Sequence, residues 1–210
     1  MKEIAMPENT IGLIVRGKNN DSHSPGVMAQ HADCVLSTGE PIGFFGDNGD
    51  GSSGGSSGSL SQGGLSASWN TSGLNMKGTV ANYSDMLKIR PYYVDINLAK
   101  KYQVISTMLL ISITHEQKIL FDQAWKNIKL SPGSFNLLGG NCSTHASIAF
   151  VEANIVNRGI PGLDTPNNLY KQLKSKMKDK CKVYNGHIGF NSKSLKKYSI
   201  LIDTPTTPMR

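Results

Sequence analysis

Hydrophobic positions along the chain follow two rhythms, and the changes between them mark out strands and helices. Residues 10–16 (TIGLIVR) and 27–36 are rich in β-branched and other apolar side chains and are bounded by Asn, Pro and Gly, which predicts strands; 41–45 (PIGFF) is a short third one. Runs at 92–96 and 102–113 predict two more. Thr114-His115-Glu116-Gln117 then has the form of a capping box, a hydroxyl followed three residues later by an amide that can reach back. A helix is therefore expected from there to about Ile128, stopped by Ser131-Pro132-Gly133.

A second helix is expected to begin at Asn141 or Cys142 and to run to about Asn157, where 158–162 (RGIPG) closes it. Cys142, Ala146, Ala149, Ala153 and Val156 recur at helical spacing, a stripe of small residues that lets a helix press closely on a sheet, and Ile148, Val151 and Ile155 widen the apolar face. Thr165-Pro166 supplies an N-cap and N1 pair for a third, more exposed helix that carries lysines to about Lys180. The runs at 182–190 and 198–202 read as closing strands.

Composition adds two features to this pattern. From 46 to 73 Gly and Ser dominate, which leaves too little apolar surface to order the segment and predicts a long loop. The whole chain, 210 residues with 38% hydrophobic content, is long enough for one well-buried core, and a single domain over 1–210 is expected. The longest apolar run, near 104–113, is too short and too broken to span a bilayer, so no transmembrane segment is expected. MKEIAMPENT lacks the charged-then-apolar signal pattern, from which we expect a protein made in the cytoplasm and not exported by that route.

The net charge of +7 is uneven: residues 169–210 hold ten Lys/Arg against Asp179 and Asp203, so the excess lies at this end. No aromatics interleave with these lysines and no helix-turn-helix signature appears, which argues against nucleic acid and for a solvated helix face. The three cysteines, Cys34, Cys142 and Cys181, are odd in number and lack CxxC spacing, so neither a disulfide framework nor a zinc site is expected, nor any other metal or cofactor.

One of these cysteines stands at a chemically distinctive point. In FNLLGGNC, residues 135–142, Cys142 follows Gly-Gly-Asn and opens the second helix. There the unpaired N–H groups and the helix dipole favour negative charge, which lowers a thiol pKa, and the same N–H groups can stabilise an oxyanion. The position suits nucleophilic attack on a carbonyl. It also suits a small buried core residue, and position by itself leaves both readings open.

Other tempting positions carry less. GDNGDG, residues 46–51, has the look of a calcium loop, but the twelfth position from Asp47 is Gly58 where an EF-hand needs Glu. GDGSSGG lacks the Gly-Lys-Ser/Thr of a phosphate loop. His145, one turn after Cys142, reads as a flanking or packing residue, His115 as part of a helix's first turn, and His23 and His187 as surface positions; Cys34 reads as a packing thiol and Cys181 as a surface one.

FNLLGGNC followed by an apolar helix resembles the nucleophile segment of the permuted papain-like hydrolases, the NlpC/P60 superfamily branch that includes lecithin:retinol acyltransferase-like proteins. In that branch the histidine strand precedes the cysteine helix, and QHADCVLSTGEPIGFFG, residues 30–46, is similar to the histidine strand, turn and next strand, with His31 upstream of Cys142. The resemblance covers two short segments and their order. It implies an α+β fold, an antiparallel sheet packed against the helix that bears the nucleophile, with Cys142 as nucleophile and His31 as its base. It also implies a third polar residue on the strand after the histidine; that position is here Gly43, so Asp47, at the end of the strand, is the first choice and Asp33, on the same strand face as His31, the second.

Members of this superfamily cut bacterial wall peptides, transfer or hydrolyse acyl chains, or deamidate proteins. The resemblance, the charge and the missing signal pattern together suggest a type VI secretion effector, an antibacterial toxin acting on peptidoglycan peptides in a target-cell periplasm. Its partners would be a component of the secretion machine and a cognate immunity protein. The alternatives are a lipid acyltransferase or thioesterase, a protein deamidase, and a non-catalytic interaction module on the same scaffold.

Overall fold

The computed structural model describes residues 1–19, 30–47, 76–135, 140–157, 165–193 and 197–205. Within them the fold is mixed α+β, an antiparallel sheet of nine strands with five α-helices. The strands are β1 (Lys2–Ala5), β2 (Thr10–Arg16), β3 (His31–Val35), β4 (Pro41–Asp47), β5 (Met76–Asn82), β6 (Ser106–Ser112), β7 (Ser134–Phe135), β8 (Cys181–Ser192) and β9 (Tyr198–Asp203). They lie in the order β1-β9-β8-β6-β2-β3-β4-β5-β7. The helices are α1 (Tyr83–Ile89), α2 (Ile96–Lys101), α3 (His115–Leu130), α4 (Cys142–Glu152) and α5 (Pro166–Lys176).

The sheet is covered on both faces, which explains why every residue of β2 is buried. Ile11, Leu13 and Val15 join Phe121 and Trp125 of α3, Ala146 and Phe150 of α4, and Leu169 and Leu173 of α5 in one core. Ile14, Val35 and Met108 join Met86 of α1, Tyr93 and Val94 in the other. On β3 the same alternation sends Ala32 and Cys34 to the first core and Val35 to the second.

Helix boundaries follow the local chemistry. Thr114 and Gln117 form the expected capping box on α3, and Thr165 caps α5 with Pro166 at N1. On α5 Leu169, Tyr170 and Leu173 turn inward while Lys171 and Lys176 stay exposed, the solvated basic face that the sequence suggests. The second predicted helix is shorter than its pattern: α4 ends at Glu152, Asn154 takes the left-handed conformation at φ 55°, and the N–H groups of Ile155 and Val156 turn back to Phe150 O. Ile148 is exposed, so it does not widen the buried face.

The strand predicted at 92–96 is absent. Pro91–Tyr93 is a 3-10 turn, and Asp95 accepts from the N–H groups of Asn97 and Leu98 to start α2. A Pro at N1 and an Asp cap outweigh a short strand-like run of aromatic and β-branched residues. The strand predicted at 102–113 begins only at Ser106, because Gln103 is left-handed at φ 54°. Residues 27–29 of the second predicted strand, the Gly/Ser-rich tract from 48 onward, 136–139 of the FNLLGGNC segment, 158–162 and His23 lie outside the described residues.

Candidate active site

Three of the residues singled out in the sequence meet where α4 begins. Asn141 caps the helix, its side chain accepting from the N–H of Thr144 at 3.0 Å and from the hydroxyl of Ser143 at 2.8 Å. This fixes Cys142 at the first helical position. The β3–β4 ladder begins only at Asp33, opposite Gly43, and ahead of it the backbone N–H of Ala32 donates to the Cys142 sulfur. Cys142 is also hydrogen-bonded to the His31 ring. His31 Nε2 lies 2.8 Å from Asp33 Oδ1, which leaves Nδ1 as the ring nitrogen for the thiol. Cys142 is 7% exposed, His31 16% and Asp33 not at all, so the imidazole is the member of the series nearest solvent and the carboxylate the deepest.

Packing holds the imidazole in one plane. Its ring stacks on Phe45 at 4.5 Å and on Tyr93 at 5.5 Å between centroids. Asp33 is held from its other side, Oδ2 accepting from Arg16 Nε at 2.8 Å.

Charges in this cluster alternate, and that decides their ionisation. Burial opposes a charge on His31, but the adjoining Cys142 and Asp33 outweigh it and raise the imidazolium pKa to about 9. Burial likewise opposes a thiolate at Cys142, yet the charge and hydrogen bond of His31, with the N–H of Ala32, lower the thiol pKa. Asp33 stays low against its own burial because His31 and Arg16 flank it. The two shifts at Cys142 and His31 run in the directions that favour a thiolate beside an imidazolium.

The carboxylate that meets the imidazole is the sequence's second choice. Asp33 lies on β3 itself, two residues from His31, and makes the bond to the imidazole. Asp47, the first choice from the sequence, ends β4 opposite Lys77, two residues past the Phe45 that stacks on His31; its side chain lies outside the described residues. A Cβ placed on Gly43 would overlap Asp33 Oδ1. The carboxylate from β3 thus fills the space that a side chain at position 43 would take.

The remaining positions separate clearly. His145 stacks on Phe44 at 3.5 Å between centroids and its Nδ1 lies 3.0 Å from Asn141 O, while burial lowers its pKa, which fits a packing residue. His115 is the exposed first residue of α3. His187, expected at the surface, is instead buried on β8 with Nδ1 3.1 Å from Val104 O, because its strand lies inside the sheet. Cys34 is fully buried and its pKa is pushed well up by desolvation and by Asp33, so it is inert. Cys181 is half-buried, its sulfur 3.7 Å from Lys178 O.

Arg16 and Tyr93 were not singled out in the sequence. A lone arginine ending the apolar run TIGLIVR was the available signal for Arg16, but its meaning depends on the register that sets it opposite His31. Among the described residues no group of three or more His, Cys, Asp or Glu could hold a metal ion, and no helix is long and apolar enough to cross a membrane. Comparison of the chain with protein-family models, curated proteins and solved structures found no match.

Proposed function

We propose that this protein is a cysteine hydrolase of the permuted papain-like type that cleaves amide bonds in bacterial wall peptides. The observation that carries the reading is the hydrogen-bonded series Cys142, His31, Asp33, with the cysteine at a helix N-terminus. A buried core cysteine needs no ionised partner, and burial alone would raise its pKa; here the shift runs the other way. The order along the chain supports the papain-like assignment: a histidine strand first, then a cysteine helix packed across it.

In this mechanism the Cys142 thiolate attacks the substrate carbonyl carbon and the carbonyl oxygen takes the negative charge. The positive N-terminal end of α4, where Cys142 lies, favours that charge. Collapse of the tetrahedral intermediate breaks the C–N bond, the imidazolium of His31 gives its proton to the departing amine, and a thioester remains on Cys142. Neutral His31 then takes a proton from water, whose oxygen attacks the thioester, and the carboxylic acid leaves as the thiolate is restored. Asp33 supports the imidazolium and keeps its orientation.

As an effector it would act on the wall of a competing cell, reaching the periplasm through a secretion machine and held off in the producer by an immunity protein. The exposed lysines of α5 suit an anionic polymer. Mass spectrometry of purified muropeptides incubated with the protein and with its Cys142→Ala variant tests the proposal. A cleaved stem peptide with the first and not the second is expected. Muropeptides, phospholipids and acyl esters all left intact by folded protein would contradict it.

A further inference from the structure

We infer that Arg16 is a positioning residue of the Cys142–His31 centre, keeping Asp33 ionised and aimed at the imidazole; the inference deepens the cysteine-hydrolase reading and rests on it. Arg16 is 2% exposed and sits on β2 directly opposite His31 in the register. Its Nε donates to Asp33 Oδ2 at 2.8 Å, while Oδ1 of the same carboxylate faces His31 Nε2 at 2.8 Å, so each oxygen has its own task. Its Nη2 donates to Tyr93 O at 2.8 Å, and the guanidinium lies 4.8 Å from the centroid of the Tyr93 ring, which itself stacks beside His31. One turn of chain therefore anchors the arginine and covers the histidine.

Stability does not account for an arginine in this place. Its Nη1 is buried without a hydrogen-bond partner, and a desolvated N–H left unpaired is a cost. An apolar residue would fill the site more cheaply. What an apolar residue cannot do is fix the charge of Asp33. The ionisable groups around that carboxylate are Arg16 from β2, His31 and Cys34 from β3, Cys142 from α4 and Tyr93 from the 3-10 turn; α1 adds Met86 and β4 adds Gly43 on the same side. Cys34 and Tyr93 are both pushed above their ordinary ranges and stay neutral. His31 and Cys142 exchange protons during the reaction, whereas a guanidinium keeps its charge throughout. Arg16 is the fixed member of the series, and its planar fork reaches Asp33 and Tyr93 O with two different nitrogens in one rigid geometry, which the single nitrogen of a lysine does not reproduce.

Removing the guanidinium reaches Cys142 through Asp33: the carboxylate takes up a proton at acid pH and stops supporting the imidazolium, whose charge and hydrogen bond favour the thiolate. The test is the rate of Cys142 alkylation by iodoacetamide against pH, followed by peptide mass spectrometry, with folding checked by circular dichroism. In Arg16→Met the acid limb is expected to move up by about one pH unit or more. Arg16→Lys is expected to move it the same way by less. On an Asp33→Asn background, Arg16→Met is expected to add no further shift, and this double variant, which removes both charges, serves where Arg16→Met alone does not fold. An acid limb unmoved in folded Arg16 variants would reduce Arg16 to a structural residue and overturn the inference while leaving the hydrolase reading intact. An equal shift with and without Asp33 would overturn it differently, since Arg16 would then act on the sulfur by its own field. A wild-type Cys142 that reacts only in the ordinary thiol range would overturn both.

Discussion

Gly43 faces Asp33 across the β3–β4 ladder, and a Cβ there would overlap the carboxylate oxygen that holds His31. Asp33 cannot step aside, because Arg16 pins its other oxygen. Gly43→Ala is therefore expected to push the carboxylate off the imidazole and reduce kcat by about 10- to 100-fold, the scale of a small misplacement in an active site. The overpacking should cost about 1–3 kcal/mol. Turnover and Tm of the one variant check both.

Asp33→Asn and Asp47→Asn distinguish the two carboxylates. If Asp33 supports the imidazolium, its amide variant loses about 10²-fold or more in turnover, by analogy with triad carboxylates. It also leaves Arg16 charged and buried without a counter-ion, which costs about 3–5 kcal/mol. Asp47→Asn should change turnover less than threefold, about 0.6 kcal/mol. Steady-state kinetics with a urea titration of each variant give the comparison.

Removing each of the two histidines near Cys142 should have opposite consequences. His31→Ala abolishes turnover, since the proton of the leaving group has no other source. His145→Ala strips a stacked ring from Phe44 and should cost about 1–3 kcal/mol of stability with turnover nearly intact. Chemical denaturation and turnover, measured side by side, read the contrast.

The pH dependence follows from the two shifts. His31, raised to about 9, gives stability that is fully present below its unfolded value of about 6.5 and is lost as pH rises through 9. Cys142, lowered, gives stability that is present above its unfolded value of about 8.5 and is lost as pH falls. Over the range in which the folded state holds both charges and the unfolded state neither, folding moves one proton from sulfur to imidazole with no net exchange, so the pair adds little slope to the stability curve there. Hydrolysis should decline above about pH 9 as His31 loses the proton it gives to the leaving group, while Cys142 alkylation continues. Rate profiles for the two reactions, run on one preparation, check this.

What could be read from the sequence was local chemistry. The capping box at Thr114, the Thr165-Pro166 start of α5 and the position of Cys142 at the head of α4 depend on residues within a turn of one another. The strand at 92–96 failed for the same reason in reverse: Pro91 and Asp95, one turn apart, outweighed the strand-like Tyr-Tyr-Val between them. Asp33, two residues from His31 on one strand face, was within reach of the same local reading, whereas Arg16 depends on the register of β2 on β3, which sets it opposite His31 and which no spacing along the chain specifies. The same holds for His187, an unremarkable position until the strand order buries it.

The central claim is that Cys142 is a thiolate paired with His31, and selective alkylation tests it most directly. Intact protein is exposed to limiting iodoacetamide at about pH 6, more than two units below an ordinary thiol pKa, and the modified cysteine is identified by peptide mass spectrometry. The expected result is modification of Cys142 ahead of Cys34 and Cys181, lost in His31→Ala. Uniform slow labelling of all three, rising only near pH 8.5, or a Cys142 that reacts last, would contradict the account.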